Sequence, residues 1–196
     1  MPNPRPSPQA YLGKPISQIC NGLFHDPAQN HCAHFVSHVL GIEFPFNCRQ
    51  FKGGSGDRAN IRVHEIFAEC PSVGLWPDRP QHAEPLLIFV TARGNVDLPS
   101  RTMVNVPRKH IGIFQGGQIF HYSNSQNRVI AESPAEFQRR FDRSYGGPQA
   151  LFYGTVPGSD LELRVHGDTA DVRQGIFFAL EKEDRTWYAA PDGRAS

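Results

Sequence analysis

Apolar residues recur at helical spacing in Phe35, Val36, Val39 and Leu40, bracketed by Asn30 and Gly41. Asn30 suits an N-cap and Gly41 a left-handed C-cap, so the pattern predicts a helix over 31–40. Farther along, the period changes to two. The runs His110-Ile111-Gly112-Ile113-Phe114 and Ile119-Phe120-His121-Tyr122-Ser123 alternate around Gly116-Gly117, a two-residue hairpin signal. Pairing Gln115 with Gln118 puts His110, Gly112, His121 and Ser123 on one face. Ile111, Ile113, Phe120 and Tyr122 then share the other. Further helices are predicted over 15–24, 58–69 and 134–141, the last from the capping box Ser133-Pro134-Ala135-Glu136. Further strands are predicted over 85–91, 128–131 and 150–156. The turn-rich stretch 94–107 leads into His110 and is placed to wall a groove.

The chemistry these elements carry centres on one thiol and two imidazoles. Cys32 falls in the first turn of its helix, where free N–H groups and the helix dipole favour a thiolate and can receive an oxyanion. It precedes Phe35 and Val36 by three and four residues, so its sulfur shares the inward face. His110 and His121 become diagonal neighbours across the hairpin, close enough to meet, with Gly112 leaving room between them. A valine at 112 suits a strand and is expected to harm the imidazole face more than the fold. A thiol, a base and a group that orients the base make a nucleophilic site. Asn124 is the alternative orienting residue, reached if a bulge follows Tyr122.

The order of a cysteine helix, a His-x-Gly-Ile-Phe strand, a glycine turn and an Ile-Phe-His return strand resembles the NlpC-type papain-like cell-wall peptidases. It is also similar to the related CHAP amidases. The likeness covers about residues 12–155, and the Leu86-Leu87-Ile88-Phe89-Val90 run resembles the strand that precedes the histidine strand in that fold. It implies an α+β fold, with N-terminal helices packed on a central antiparallel sheet. It also implies Cys32 as nucleophile, His110 as base and His121 as the orienting residue, with Asn30 and His31 supporting the oxyanion site. The implied activity is a cysteine hydrolase cleaving amide bonds in peptidoglycan stem peptides. Thiol acyl transfer to lipid, protein processing and a non-catalytic binding module stand as alternatives. His31 departs from the acidic or amide residue common before the family's cysteine, and Gln29 stands too close to match the CHAP glutamine. Asn30-His31-Cys32-Ala33-His34-Phe35 also resembles the cysteine motif of lecithin-retinol-acyltransferase-like enzymes, but there the histidine strand comes first.

Composition narrows the field. A net charge of +1 gives no electrostatic reason to expect nucleic acid or an anionic membrane. No apolar run approaches the ~20 residues of a membrane span. The opening Met1-Pro2-Asn3-Pro4-Arg5-Pro6-Ser7-Pro8 has no apolar core, so residues 1–11 read as a flexible proline-rich arm rather than a secretory signal. A cell-wall substrate then implies lysis, a dedicated non-Sec secretion machine or a leader already removed, with a delivery or immunity protein as a partner to expect. Residues 12–157 form the expected hydrolase domain and 158–196 a β-rich extension packed on it. With Cys32 as nucleophile, Cys20, Cys48 and Cys70 allow at most one bridge, Cys20–Cys48 being the one considered. His34 and His38 have an i, i+4 spacing that can bind zinc, with His31 nearby, but the glutamate of a metalloprotease motif is absent. The expectation is therefore no metal and no cofactor.

Overall fold

The computed structural model describes residues 7–22, 24–42, 62–81 and 83–158. The chain divides into two compact units, Met1–Pro157 and Gly158–Ser196, and apart from Gly158 the described residues lie in the first. Cys48, the glycine-rich loop 51–56 and the strands expected in the tail lie outside the described residues.

The first unit is mixed α/β, with an antiparallel six-stranded sheet and, among the described residues, three α-helices. The helices are α1 (Cys32–Leu40), α2 (Val63–Glu69) and α3 (Pro134–Tyr145). The strands are β1 (Val73–Leu75), β2 (Leu86–Thr91), β5 (Lys109–Gln115), β6 (Gln118–Ser123), β7 (Arg128–Glu132) and β8 (Ala150–Thr155), ordered β1-β8-β2-β5-β6-β7. A separate hairpin, β3 (Val96–Asp97) with β4 (Thr102–Met103), occupies the stretch expected to be loop. No described helix is long and apolar enough to cross a membrane.

Hydrophobic alternation explains the layers. Leu87 and Phe89 of β2, Ile111 and Ile113 of β5, Phe120 and Tyr122 of β6 and Phe152 of β8 join one core. The apolar stripe of α1 and Ile66 and Phe67 of α2 complete it. All six residues of β2 are buried, as a central strand covered on both faces requires. On the opposite face α3 lays Phe137 and Phe141 against the rings of His110 and His121. Ser133 caps α3 in a reciprocal capping box with Glu136, and Gly146 ends it at φ 77°.

Several boundaries differ from the sequence expectation. The helix expected over 15–24 is a 3₁₀ turn, Ile16–Gln18, entered from Pro15, and Pro8–Tyr11 of the expected arm forms another. The N-cap of α1 is His31 rather than Asn30, although the Asn30 side chain still accepts the Cys32 N–H at 3.0 Å. α3 runs on to Tyr145, because no left-handed residue stops it before Gly146.

The hairpin register is as expected through its turn: Gln115 pairs with Gln118, Phe114 with Ile119 and Ile113 with Phe120. Gly112 carries a tighter constraint than imidazole clearance alone. A Cβ there would stand 2.8 Å from Ile119 Cγ2, 3.0 Å from the Phe120 carbonyl oxygen and 3.2 Å from His121 Cβ. The carbonyl belongs to the sheet backbone and cannot yield cheaply. Valine at 112 is therefore corrected from a change harming mainly the site to one that also strains the fold. Gly112→Ala should lower stability in urea unfolding by about 1–3 kcal/mol through overpacking, and an unshifted midpoint would contradict the close approach. Ile113→Ala, at a fully buried position, should cost ~2–5 kcal/mol.

Candidate active site

Four chain segments end at one edge of the layered fold and enclose a cleft of about 260 Å³. Asn30 comes from the entry to α1, and Pro107 and His110 from the start of β5. His121, Ser123, Asn124 and Ser125 come from the end of β6 and its turn, and Arg140, Phe141, Ser144 and Tyr145 from the C-terminal half of α3. Strand alternation turns His110 and His121 toward α3, while Ile111 and Tyr122 face α1.

The two imidazoles are the inner members of a hydrogen-bonded chain. His110 Nε2 lies 3.0 Å from His121 Nδ1, and His121 Nε2 lies 3.0 Å from Glu132 Oε2. Glu132, the last residue of β7, also receives Arg140 Nε on both its oxygens at 2.8 and 2.9 Å. Phe141 lies against the His110 ring, centroids 4.6 Å apart at 31°, and Phe137 meets the His121 ring edge-on at 5.0 Å. Both rings are almost wholly buried, His110 at 4% and His121 at 1% exposure.

These partners determine the protonation states. Burial alone would raise the Glu132 carboxyl, but hydrogen bonds from His121 and Arg140 outweigh it and hold the group at about 2. Glu132 is therefore an ionised acceptor, and His121 Nε2 carries the proton it receives. Burial holds His121 below the ordinary histidine value and His110 well below it, so both are neutral near pH 7. A neutral His121 protonated on Nε2 must accept at Nδ1, and the donor is His110 Nε2–H. His110 Nδ1 is left with its lone pair. One carboxylate thus sets the tautomer of an imidazole two positions away.

Cys32 begins α1 and is not among the residues that line the cleft. It is 2% exposed, and burial pushes its thiol up to about 11. Backbone hydrogen bonding from Ile111 and Ala33 and the charge of Lys109 pull the other way without prevailing. The expectation of a thiol acidified at a helix start is corrected: dehydration of the sulfur outweighs the helix terminus. None of the hydrogen bonds joins Cys32 Sγ to His110 or His121. Two links nevertheless tie Cys32 to the cleft. Its amide is held by Asn30, a lining residue, and the phenol of Tyr145, another lining residue, is raised by burial and then by the charge of Cys32.

The remaining predicted residues frame the entrance. Asn124 Oδ1 accepts the His31 N–H at 3.2 Å, and the side chain hydrogen-bonded to His110 is His121. Asn30 and His31 therefore brace the start of α1. With the amides of residues 31 and 32 bound to asparagine side chains, an oxyanion would need one of those bonds to open. Sequence reasoning missed Glu132, Arg140 and Lys109. The expected strand stopped at Ala131, one residue short of the carboxylate, although the capping box that begins at Ser133 marks where that strand ends. Compared with family models, with curated proteins and with solved structures, the chain matches none.

The Glu132 carboxyl is held below its unfolded value, so its contribution to stability is complete above the unfolded value of about 4.3. That contribution is lost as pH falls through this value toward about 2. Glu132→Gln should remove this part of the acid-unfolding curve; an identical curve would mean the ion pair contributes nothing. In the native protein Cys32 should react with iodoacetamide only as pH rises toward about 11, whereas the same cysteine in urea reacts near the free-thiol value of about 8.5. Peptide mass mapping reads both, and fast native labelling below neutral pH would contradict the buried, protonated thiol.

Proposed function

We propose that this chain is a cysteine hydrolase of papain-like, NlpC-type build that cleaves amide bonds in peptidoglycan stem peptides. The observation that carries the reading is the chain Glu132–His121–His110, which leaves one nitrogen of His110 unprotonated, His110 being a residue that lines a cleft with Asn30 from the start of the cysteine helix. A ring whose tautomer is enforced from behind has the arrangement a general base requires. The substrate class rests on the likeness of the cysteine helix and the His-x-Gly-Ile-Phe hairpin to the cell-wall peptidases.

In this scheme His110 Nδ1 takes the proton of Cys32 as the sulfur attacks the substrate carbonyl carbon. The tetrahedral intermediate collapses to a thioester, and the departing amine receives the proton from His110. Water then attacks the thioester with His110 again as base, releasing the acid and restoring the thiol. A neutral thiol and a neutral imidazole at rest mean that proton transfer accompanies attack rather than preceding it. His121 and Glu132 are positioning residues. Hydroxyl and amide groups of Asn30, Ser123, Asn124, Ser125 and Ser144 line the cleft, which suits a peptide backbone better than the acyl chain of a lipid substrate.

Incubation with purified muropeptides, followed by mass spectrometry, should show new amine and carboxyl ends on stem peptides. Cys32→Ala should abolish this, and His110→Ala should lower turnover by roughly 100-fold or more, the usual range for losing a general base. His121→Ala and Glu132→Gln should retain measurable turnover, with kcat falling more than KM changes. Undiminished turnover in Cys32→Ala would remove the thiol from the mechanism, and intact muropeptides with the native protein would overturn the substrate.

A further inference from the structure

α1 carries a second set of imidazoles. His31 Nε2 lies 2.8 Å from the Asp26 carbonyl oxygen, which only accepts, so the proton of His31 sits on Nε2. Its Nδ1 is then the acceptor, and His34 Nδ1 stands 3.2 Å away. His34 is fully buried. With its proton given to His31 through Nδ1, its lone pair is on Nε2. That nitrogen lies 3.1 Å from His38 Nε2. One donor atom each from Cys20, His34 and His38 lie within 4.8 Å of one another. Cys20 Sγ accepts the Gly22 N–H at 3.2 Å.

We propose that Cys20, His34 and His38 form a binding site for a divalent transition-metal cation, zinc by its donor set, with water as the fourth ligand. One sulfur and two imidazole nitrogens are the ligand types zinc prefers. With Zn–N bonds of about 2.0–2.1 Å, two tetrahedral nitrogen ligands stand about 3.3 Å apart, close to the separation already present. Uptake releases the Cys20 thiol proton to solvent and moves the His38 ring proton from Nε2 to Nδ1, so both imidazoles present lone pairs. The His34–His31–Asp26 chain supplies the outer-shell support that metal-bound histidines use. The site joins the segment after Ile16–Gln18 to α1. Because the His31 amide also binds Asn124, metal binding braces the approach to Cys32 without taking part in its chemistry.

Cobalt(II) titration of the full chain tests this independently of catalysis. One equivalent should produce visible bands of a tetrahedral site together with a thiolate-to-metal charge-transfer band. Cys32→Ala should keep both, Cys20→Ser should lose the charge-transfer band, and His38→Gln should bind at least tenfold more weakly. His31→Phe, removing the outer-shell acceptor, should weaken binding about 10-fold or more. Zinc should raise the melting temperature of the native chain and a chelator should reverse it. No cobalt spectrum at saturating metal would overturn the site, as would an unchanged spectrum in Cys20→Ser. Should Cys20→Ser fail to fold, His38→Gln, altered at a half-buried helix position, decides: unchanged affinity refutes the proposal.

Discussion

The grip of Arg140 on Glu132 is the interaction on which the candidate site depends. A carboxylate set against buried rings would gain a proton unless a partner kept it charged. Arg140 supplies that partner from α3, and its guanidinium meets both carboxylate oxygens. Once Glu132 is ionised, the order of protons along His121 and His110 has a single solution. Were Glu132 neutral and donating, His121 would have to accept at Nε2, and His110 would turn its proton toward the cleft. The ion pair therefore decides whether the nitrogen beside the cleft is a base or a donor.

Packing makes that choice durable. α3 covers the imidazole face with Phe137 and Phe141, which dehydrate the rings and limit their rotation. The same helix brings Arg140 to Glu132 and contributes Ser144 and Tyr145 to the cleft. Its amphipathic character thus serves two ends. The apolar face depresses histidine basicity while the adjoining arginine stabilises the carboxylate that orients it. Any change that loosens α3 acts on all of these features at once.

Local signals in the sequence were enough to place α1, the β5–β6 hairpin and the start of α3. The helix stripe, the Gly116-Gly117 turn and the Ser133–Glu136 capping box each lie within a dozen residues. The hairpin register alone brings His110 near His121. What escaped was set by distance or by dehydration. Arg140 and Glu132 are eight residues apart across a strand–helix junction, and neither belongs to a periodic pattern. Cys20 stands in a loop, so its proximity to His34 and His38 has no local mark. The antiparallel neighbours of β8, namely β1 and β2, are separated from it by long stretches of chain. The thiol of Cys32 was misjudged for another reason: a helix-start argument counts dipoles and N–H groups but cannot count the water removed by the surrounding core.

That dehydration changes how the proposed reaction is organised. A resting thiolate–imidazolium pair would place two charges in the driest part of the fold, where separation from water costs more than their attraction returns. The structure instead keeps the sulfur and both imidazoles neutral and pairs the charge behind the imidazoles, Glu132 with Arg140. Charge then develops only when sulfur meets a carbonyl carbon, as the His110 proton and the oxyanion appear together. Glu132 already points its negative charge along the chain toward the forming imidazolium, so it stabilises that state more than the resting one. Stabilisation that grows with the developing charge lowers the barrier rather than merely binding the substrate. A buried thiol of raised pKa is compatible with nucleophilic catalysis on these terms, provided the base behind it is held in the correct tautomer.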